Sequence, residues 1–132
     1  MLEVHVVSPE RVVWAGPARM VVARGTAGEV GILPGHAPLL IRLAIGTLRI
    51  QGEDGGWERA VVDGGFLHVT SEGQGTRVDV LASHAEMARE IDRRAAEARV
   101  EELRAKLRQA EDAGARADLA KALTRVELTG DS

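Results

Sequence analysis

The chain contains no cysteine and no tyrosine, and aromatic residues make up 2% of its 132 positions. Without cysteine there is no disulfide frame, no thiolate metal site and no thiol chemistry, so the fold must rest on packing, with or without support from partner subunits. So few aromatics remove the stacking platforms of a single-strand binder, and a formal net charge of -3, with Lys and Arg scattered among Asp and Glu, supplies no basic surface. No nucleic-acid partner is expected. No run approaches the ~18 consecutive apolar residues of a membrane span, and the opening MLEVHVVSPERV has no basic segment leading into an apolar one. The expectation is an unprocessed cytoplasmic protein with one ordinary domain, or a small domain with an appendage.

What is present divides near His84. Thirteen of the 15 glycines and all four prolines precede it, whereas the chain from Ala85 onward is rich in Ala, Glu and Arg. Glycine and proline punctuate turns, and the second set are strong helix formers, so residues 1–84 read as extended and residues 85–132 as helical. In the first part, Leu2, Val4 and Val6 alternate with Glu3, His5 and Val7, as do Leu48 and Ile50 with their neighbours, and Val78 and Val80 with theirs. This is the period of half-buried strands. Turn signals at SPE, AGP, RGTAG, GEDGG and SEGQG space them as in an all-β sandwich or barrel, and LRIQG with WERAVV form the clearest hairpin. Gly64 and Gly65 could mark the approach of a ligand; the plainer reading is a bulge where two strands bend.

In the tail, Met87, Ile91, Ala95, Ala98, Glu102 or Leu103, Leu107 and Ala110 trace one narrow helical face. Glu90 with Arg94 and Glu102 with Lys106 are spaced to pair one turn apart. EDAGAR breaks the helix at Gly114, and a second helix follows with Leu119, Leu123 and Val126 as its stripe and Ala117, Ala120 and Ala122 for close approach. The reading is an antiparallel α-helical hairpin with a thin buried face, marginal alone and able to detach.

Catalytic sets are missing. GTAGEVGILPG lacks the lysine and hydroxyl of a phosphate loop, and Ser8, Ser71, Ser83 and Ser132 stand in no tight glycine-flanked turn. His5, His36, His68 and His84 lie far apart, without the spacing of a zinc site, so neither metal nor cofactor is expected. His36 stands near Glu29 in the stretch GEVGILPGHAPLL and could serve with it as acid and base; the plainer reading is an imidazole bonded to loop backbone or to a neighbouring subunit. The arginines from Arg89 to Arg108 are interleaved with acids, as on a solvated helix surface.

GEVGILPGHAPLL in a short β-domain, followed by VVDGGFLHVT, LASHAE and a charged tail ending LAKALTRVEL, resembles the epsilon subunit of bacterial F-type ATP synthase over essentially the whole chain. The resemblance implies an N-terminal β-sandwich followed by two helices, mounted on the central rotor stalk against gamma and the ring of c subunits. It implies a non-catalytic, peripheral subunit on the cytoplasmic face of the bacterial plasma membrane. Such a subunit transmits proton-driven rotation to the alpha and beta subunits, and its tail can extend into the catalytic head and obstruct ATP hydrolysis. Carried onto this chain, Glu29, Gly31, Pro34, Gly35, His36, Ala37 and Pro38 become the gamma and c-ring contact. Arg104, Lys106, Arg108, Arg116, Lys121 and Arg125 become candidates to face beta in an extended state.

Many relatives bind ATP through Ile or Leu, Asp, two variable residues, Arg and Ala. Ile91 and Asp92 match that pattern, but Ala95 stands where its arginine should be. Arg94 comes one residue early, turned about 100° around a helix, and Glu102 falls where some relatives carry a further arginine. No useful nucleotide binding is expected. Two other classes compete with the rotor subunit: a small β-sandwich module binding carbohydrate or peptide with a helical dimerisation tail, and an enzyme using His36 and Glu29. Sugar recognition stacks on aromatics, of which only Trp14, Trp57 and Phe66 exist, and the enzyme lacks a nucleophile and an orienting partner.

Overall fold

The computed structural model describes residues 1–109 and 113–130. Seven strands come first: β1 (Leu2–Val7), β2 (Val12–Gly25), β3 (Gly28–Ile32), β4 (Leu39–Gly52), β5 (Trp57–Glu72), β6 (Gly75–Ala82) and β7 (Ala85–Met87). A 3₁₀ turn (Ala88–Glu90) leads to α1 (Arg93–Gln109) and α2 (Ala113–Gly130). The strands form a β-sandwich whose long members serve both layers. In the first layer the N-terminal part of β2 pairs with β1, β1 lies parallel to β6, and β6 pairs with residues 65–72 of β5, which in turn pair with the start of β4. In the second, β3 pairs with the end of β2, β2 with the end of β4, and β4 with residues 57–63 of β5, which β7 flanks.

The alternating residues define the core. Leu2, Val4, Val6, Leu48, Ile50, Val78 and Val80 are all buried in one cluster with Val21, Ile32, Leu67 and Val69. Burying each such side chain stabilises by roughly 1.5–3 kcal/mol. The expected β4–β5 hairpin forms, with Gln51 opposite Trp57 and the Gly56 N–H donating to Asp54 across its turn.

Three local expectations are corrected. AGP is not a turn but lies inside β2, where Pro17 faces Glu3 of β1. Proline is tolerated there because β2 pairs with β1 alone at that position, leaving one side with no N–H to supply. Gly64 and Gly65 are not a bulge, since β5 keeps the same register against β4 on both sides of them, with Leu43 opposite Gly65 and Ile45 opposite Asp63. Instead both take positive φ, +100° and +116°, at the bend where β5 passes from one layer to the other. A Cβ on Gly65 would collide with the Leu81 carbonyl oxygen, so this crossing needs glycine.

The third correction concerns the tail. Met87 belongs to β7, beyond the expected boundary at His84, and Ala85 and Met87 are part of the sandwich core. Ile91 precedes the helix, and α1 begins after Asp92, whose carboxylate accepts the Ala95 N–H as an N-cap. A phase counted from Met87 and Ile91 therefore misses the helix. Ala95 and Ala98 are exposed, and the buried stripe is Ala96, Val100 and Leu103, continued by half-buried Leu107. Glu90 does not pair with Arg94 but reaches Arg11, while the expected Glu102–Lys106 pair is present at 3.9 Å. Gly114 lies in the first turn of α2 and does not itself break a helix; residues 110–112, among them the expected face residue Ala110, lie outside the described residues. On α2 the stripe is Ala115, Leu119, Ala122 and Val126, and Leu123 is exposed instead.

Candidate functional site

The stretch from Gly28 to Leu40 is half strand and half turn. Gly28–Ile32 pairs with β2 along one side only, as an edge strand. Chain direction then reverses through Leu33, Pro34, Gly35 and His36, with the His36 N–H donating to the Leu33 carbonyl at 3.0 Å. Proline presets the second position and Gly35, at φ +86°, supplies the positive angle at the third, the requirements of a type II turn. The turn is pinned from outside by the Gly35 N–H, which donates to the buried Thr76 hydroxyl of β6 at 2.8 Å. His36 Nδ1 donates to the Ala37 carbonyl at 2.7 Å, and Arg49 of β4 donates to Glu29 at 2.8 Å. Glu29 and His36 thus have separate partners, and no hydrogen bond joins them among the described residues. Glu29, Gly31, Pro34, Gly35, Ala37 and Pro38 are exposed and His36 half-buried, beside an exposed Leu33.

A second surface was missed by sequence reasoning. Across the first layer, Arg42, Phe66, Leu81, Val7 and Val12 stand opposite one another on successive strands. Phe66 is 44% exposed, Leu81 54% and Val12 62%, and Leu40, two residues from Arg42 on β4, is 65% exposed. The Arg42 guanidinium lies 5.9 Å from the centroid of the Phe66 ring. The signal was in the alternation: Phe66 and Leu81 occupy the outward phase of their strands, where a solvated sheet would carry polar residues.

The helices rest on the second layer. Val61, Ile91, Ala96 and Leu128 form a small buried contact, with Ala88 and Val126 at its edge. Beside it a cleft of about 340 Å³ is lined by Asp63, His84, Glu86, Ala95, Arg99, Asp118, Lys121 and Arg125, among others. Its cations are engaged: Lys121 with Asp63 at 3.7 Å, Arg125 with Glu86 at 3.1 Å, and Arg99 with Asp118 at 3.6 Å and Glu102 at 3.0 Å. Ala95 lines this cleft and Arg94 does not, while Ile91 and Asp92 serve packing and capping. Of the other candidate cations, Arg104 lies 3.9 Å from Glu101, and Arg104, Lys106, Arg108 and Arg116 are exposed.

Two titratable groups are clearly displaced from their ordinary values. Glu90 is held low by its hydrogen bond from Arg11, then by the Met87 N–H, which donates to it at 3.0 Å. Arg77 is raised by its hydrogen bond to Asp79. Neither lies in the cleft or the turn. No group of three or more His, Cys, Asp or Glu that could hold a metal occurs among the described residues, and no described helix is long and apolar enough to cross a membrane.

Residues 1–88 match the family model for the ATP synthase delta/epsilon chain, beta-sandwich domain. The chain belongs to the ATP synthase epsilon family. It is 45% identical over 132 residues to the ATP synthase epsilon chain of Thermobifida fusca, covering 95% of this chain and 89% of that one. It is 44% identical over 119 residues to that of Bordetella petrii, covering 90% and 79% respectively. Among solved structures, a chain of the Euglena gracilis mitochondrial ATP synthase, in an OSCP/F1/c-ring assembly, superposes with a TM-score of 0.76 at 29% identity, over 98% of this chain and 79% of that one. Membership makes the chain an epsilon subunit of the central stalk, one of a class of accessory, non-catalytic subunits.

Proposed function

We propose that this epsilon subunit is a rotor component of a proton-translocating F-type ATP synthase, coupling c-ring rotation through gamma to the catalytic alpha and beta subunits. The observation that carries the reading is the turn at Leu33–His36, exposed yet braced by Thr76 at its tip. A surface ordered before docking loses little entropy on docking. Glu29, Gly31 and residues 34–38 form the contact with gamma and the c-ring in this reading, and the exposed row of Phe66, Leu81 and Val12 adds apolar area of the kind that marks a protein interface. The complex sits peripherally on the cytoplasmic face of the bacterial plasma membrane.

The helical hairpin is the regulatory part. Its apolar contact with the sandwich is small, so docked and extended arrangements differ by only a few kcal/mol, as a switch requires. In the extended arrangement Arg104, Lys106, Arg108, Arg116, Lys121 and Arg125 face acidic segments of beta and restrain ATP hydrolysis. Lys121 and Arg125 must first leave Asp63 and Glu86. Nucleotide is not the trigger, because Ala95 offers no phosphate donor and the cleft cations are already paired.

Affinity purification of the tagged subunit from solubilised membranes of its native host tests this. Gamma and the c-ring are expected to elute with it; elution of the subunit alone would overturn the reading. Deletion of residues 93–132, which spares β7 and Ile91, is expected to leave coupling intact and to release ATP hydrolysis from restraint.

A further inference from the structure

The surface beneath α2 is charged in two opposite senses, and α2 mirrors it. At one end the sandwich offers Asp63 and Glu86, whose side chains are only 13% and 18% exposed; α2 answers with Lys121 and Arg125. At the other end Arg24, Arg49 and Arg59, on three neighbouring strands, line a second cleft of about 290 Å³. Arg49 stands directly opposite Arg59, a like-charge arrangement that destabilises a sheet unless acids answer it. Glu29 supplies one acid, bonded to Arg49, and Glu127 of α2 lines the same cleft. Glu127 also lies in the last turn of α2, where the helix dipole presents its negative end.

We propose that these mirrored charges are a register lock: they set where α2 seats on the sandwich and make its release depend on ionic strength. The apolar contact cannot set the register alone, because hydrophobic attraction is non-directional and the patch is small. Sliding α2 by one turn, about 5.4 Å, brings Arg125 to Asp63 but leaves Glu86 facing Thr129, and carries Glu127 off the arginines. Sliding the other way brings Lys121 to Glu86 and Ala117 to Asp63. Of these three seats, only the observed one pairs both Asp63 and Glu86 with cations while keeping Glu127 in the arginine-lined cleft. The pairs are partly exposed, so mobile ions compete with them, and the lock loosens as the screening length shrinks.

The meaning of this lock for hydrolysis rests on the proposed regulatory role, but the lock belongs to the chain alone and is measured without the complex. Because the chain has no cysteine, donor and acceptor dyes can be placed uniquely on Glu53→Cys, in an exposed turn, and Ala117→Cys, on the exposed side of α2. Energy transfer in the full-length chain is expected to fall as sodium chloride rises from about 0.05 M to about 1 M. Lys121→Glu or Arg125→Glu is expected to lower the docked-to-released ratio about five- to tenfold at low salt, and Asp63→Lys combined with Lys121→Asp to restore it to within about twofold. Trp14 and Trp57 emission reports whether the sandwich stays folded in each variant. Transfer insensitive to salt and to charge reversal would overturn the lock, as would a folded double swap that fails to restore docking. A failed co-purification with gamma would leave this result standing, so the two readings fail separately.

Discussion

The Gly35 N–H donates to the Thr76 hydroxyl at 2.8 Å, tying the tip of the proposed rotor contact to the start of β6. Thr76→Val keeps the volume and removes the acceptor. The expected cost is about 1 kcal/mol of stability, with faster amide exchange at Gly35 and weaker assembly. Thermal unfolding and hydrogen exchange on the isolated chain check the first two, and unchanged exchange at Gly35 would show that the hydrogen bond does not brace the turn.

Glu29→Ala and His36→Ala separate a contact role from a folding role. The Glu29–Arg49 pair is exposed, 64% and 45% by side chain, so its loss is expected to cost under about 1 kcal/mol. His36 loses only its bond to a neighbouring carbonyl. Both variants should fold normally yet assemble or couple poorly, read as proton-pumping efficiency of reconstituted complexes. Normal coupling in both would remove these two residues from the contact.

Gly65→Ala is expected to be severe, with a loss of about 3 kcal/mol or more, because positive φ and a backbone collision fall on one residue. Chemical denaturation measures it. Gly35→Ala also needs a strained angle but meets nothing within 4 Å, so it should cost less.

Glu90 gives a pH dependence with a definite sign. Its carboxyl is held below the ordinary value of 4.5 by Arg11 and the Met87 N–H, so its contribution to stability is complete above that value. That contribution is lost as pH falls through the lowered folded value. Glu90→Gln should therefore flatten the acid limb of the stability curve, and an acid limb unchanged by the substitution would count against this tie between the β1–β2 turn and the helical linker.

Titration of the purified subunit with ATP in a calorimeter is expected to give no heat of binding at millimolar nucleotide. Binding at that level or tighter would show that the paired cations of the cleft reorganise around phosphate despite Ala95.

The strands were legible because one side of each is buried: Leu2, Val4 and Val6 cannot face water without exposing a whole row, and alternation records that constraint. The stiffness of the turn at Pro34–Gly35 was legible because its residues fix the backbone locally. The helical phase was not, because Met87 and Ile91 carry apolar side chains for the sandwich and its second layer, and by coincidence they stand at helical spacing from Ala95 and Ala98, which α1 leaves exposed. Nor were the pairs of Lys121 with Asp63 and Arg125 with Glu86 visible, since each joins residues far apart along the chain. The outward row of Phe66 and Leu81 becomes visible only when register sets strands side by side.

The bend at Gly64–Gly65 has a mechanical consequence. Because β5 runs unbroken from the layer bearing the exposed apolar row to the layer bearing α2, a load on one face reaches the other through covalent bonds. Two sheets that merely touched could slide under torque. Here the crossing strand removes that slip plane, so the sandwich can turn as one stiff piece while the helices outside it remain the part that yields.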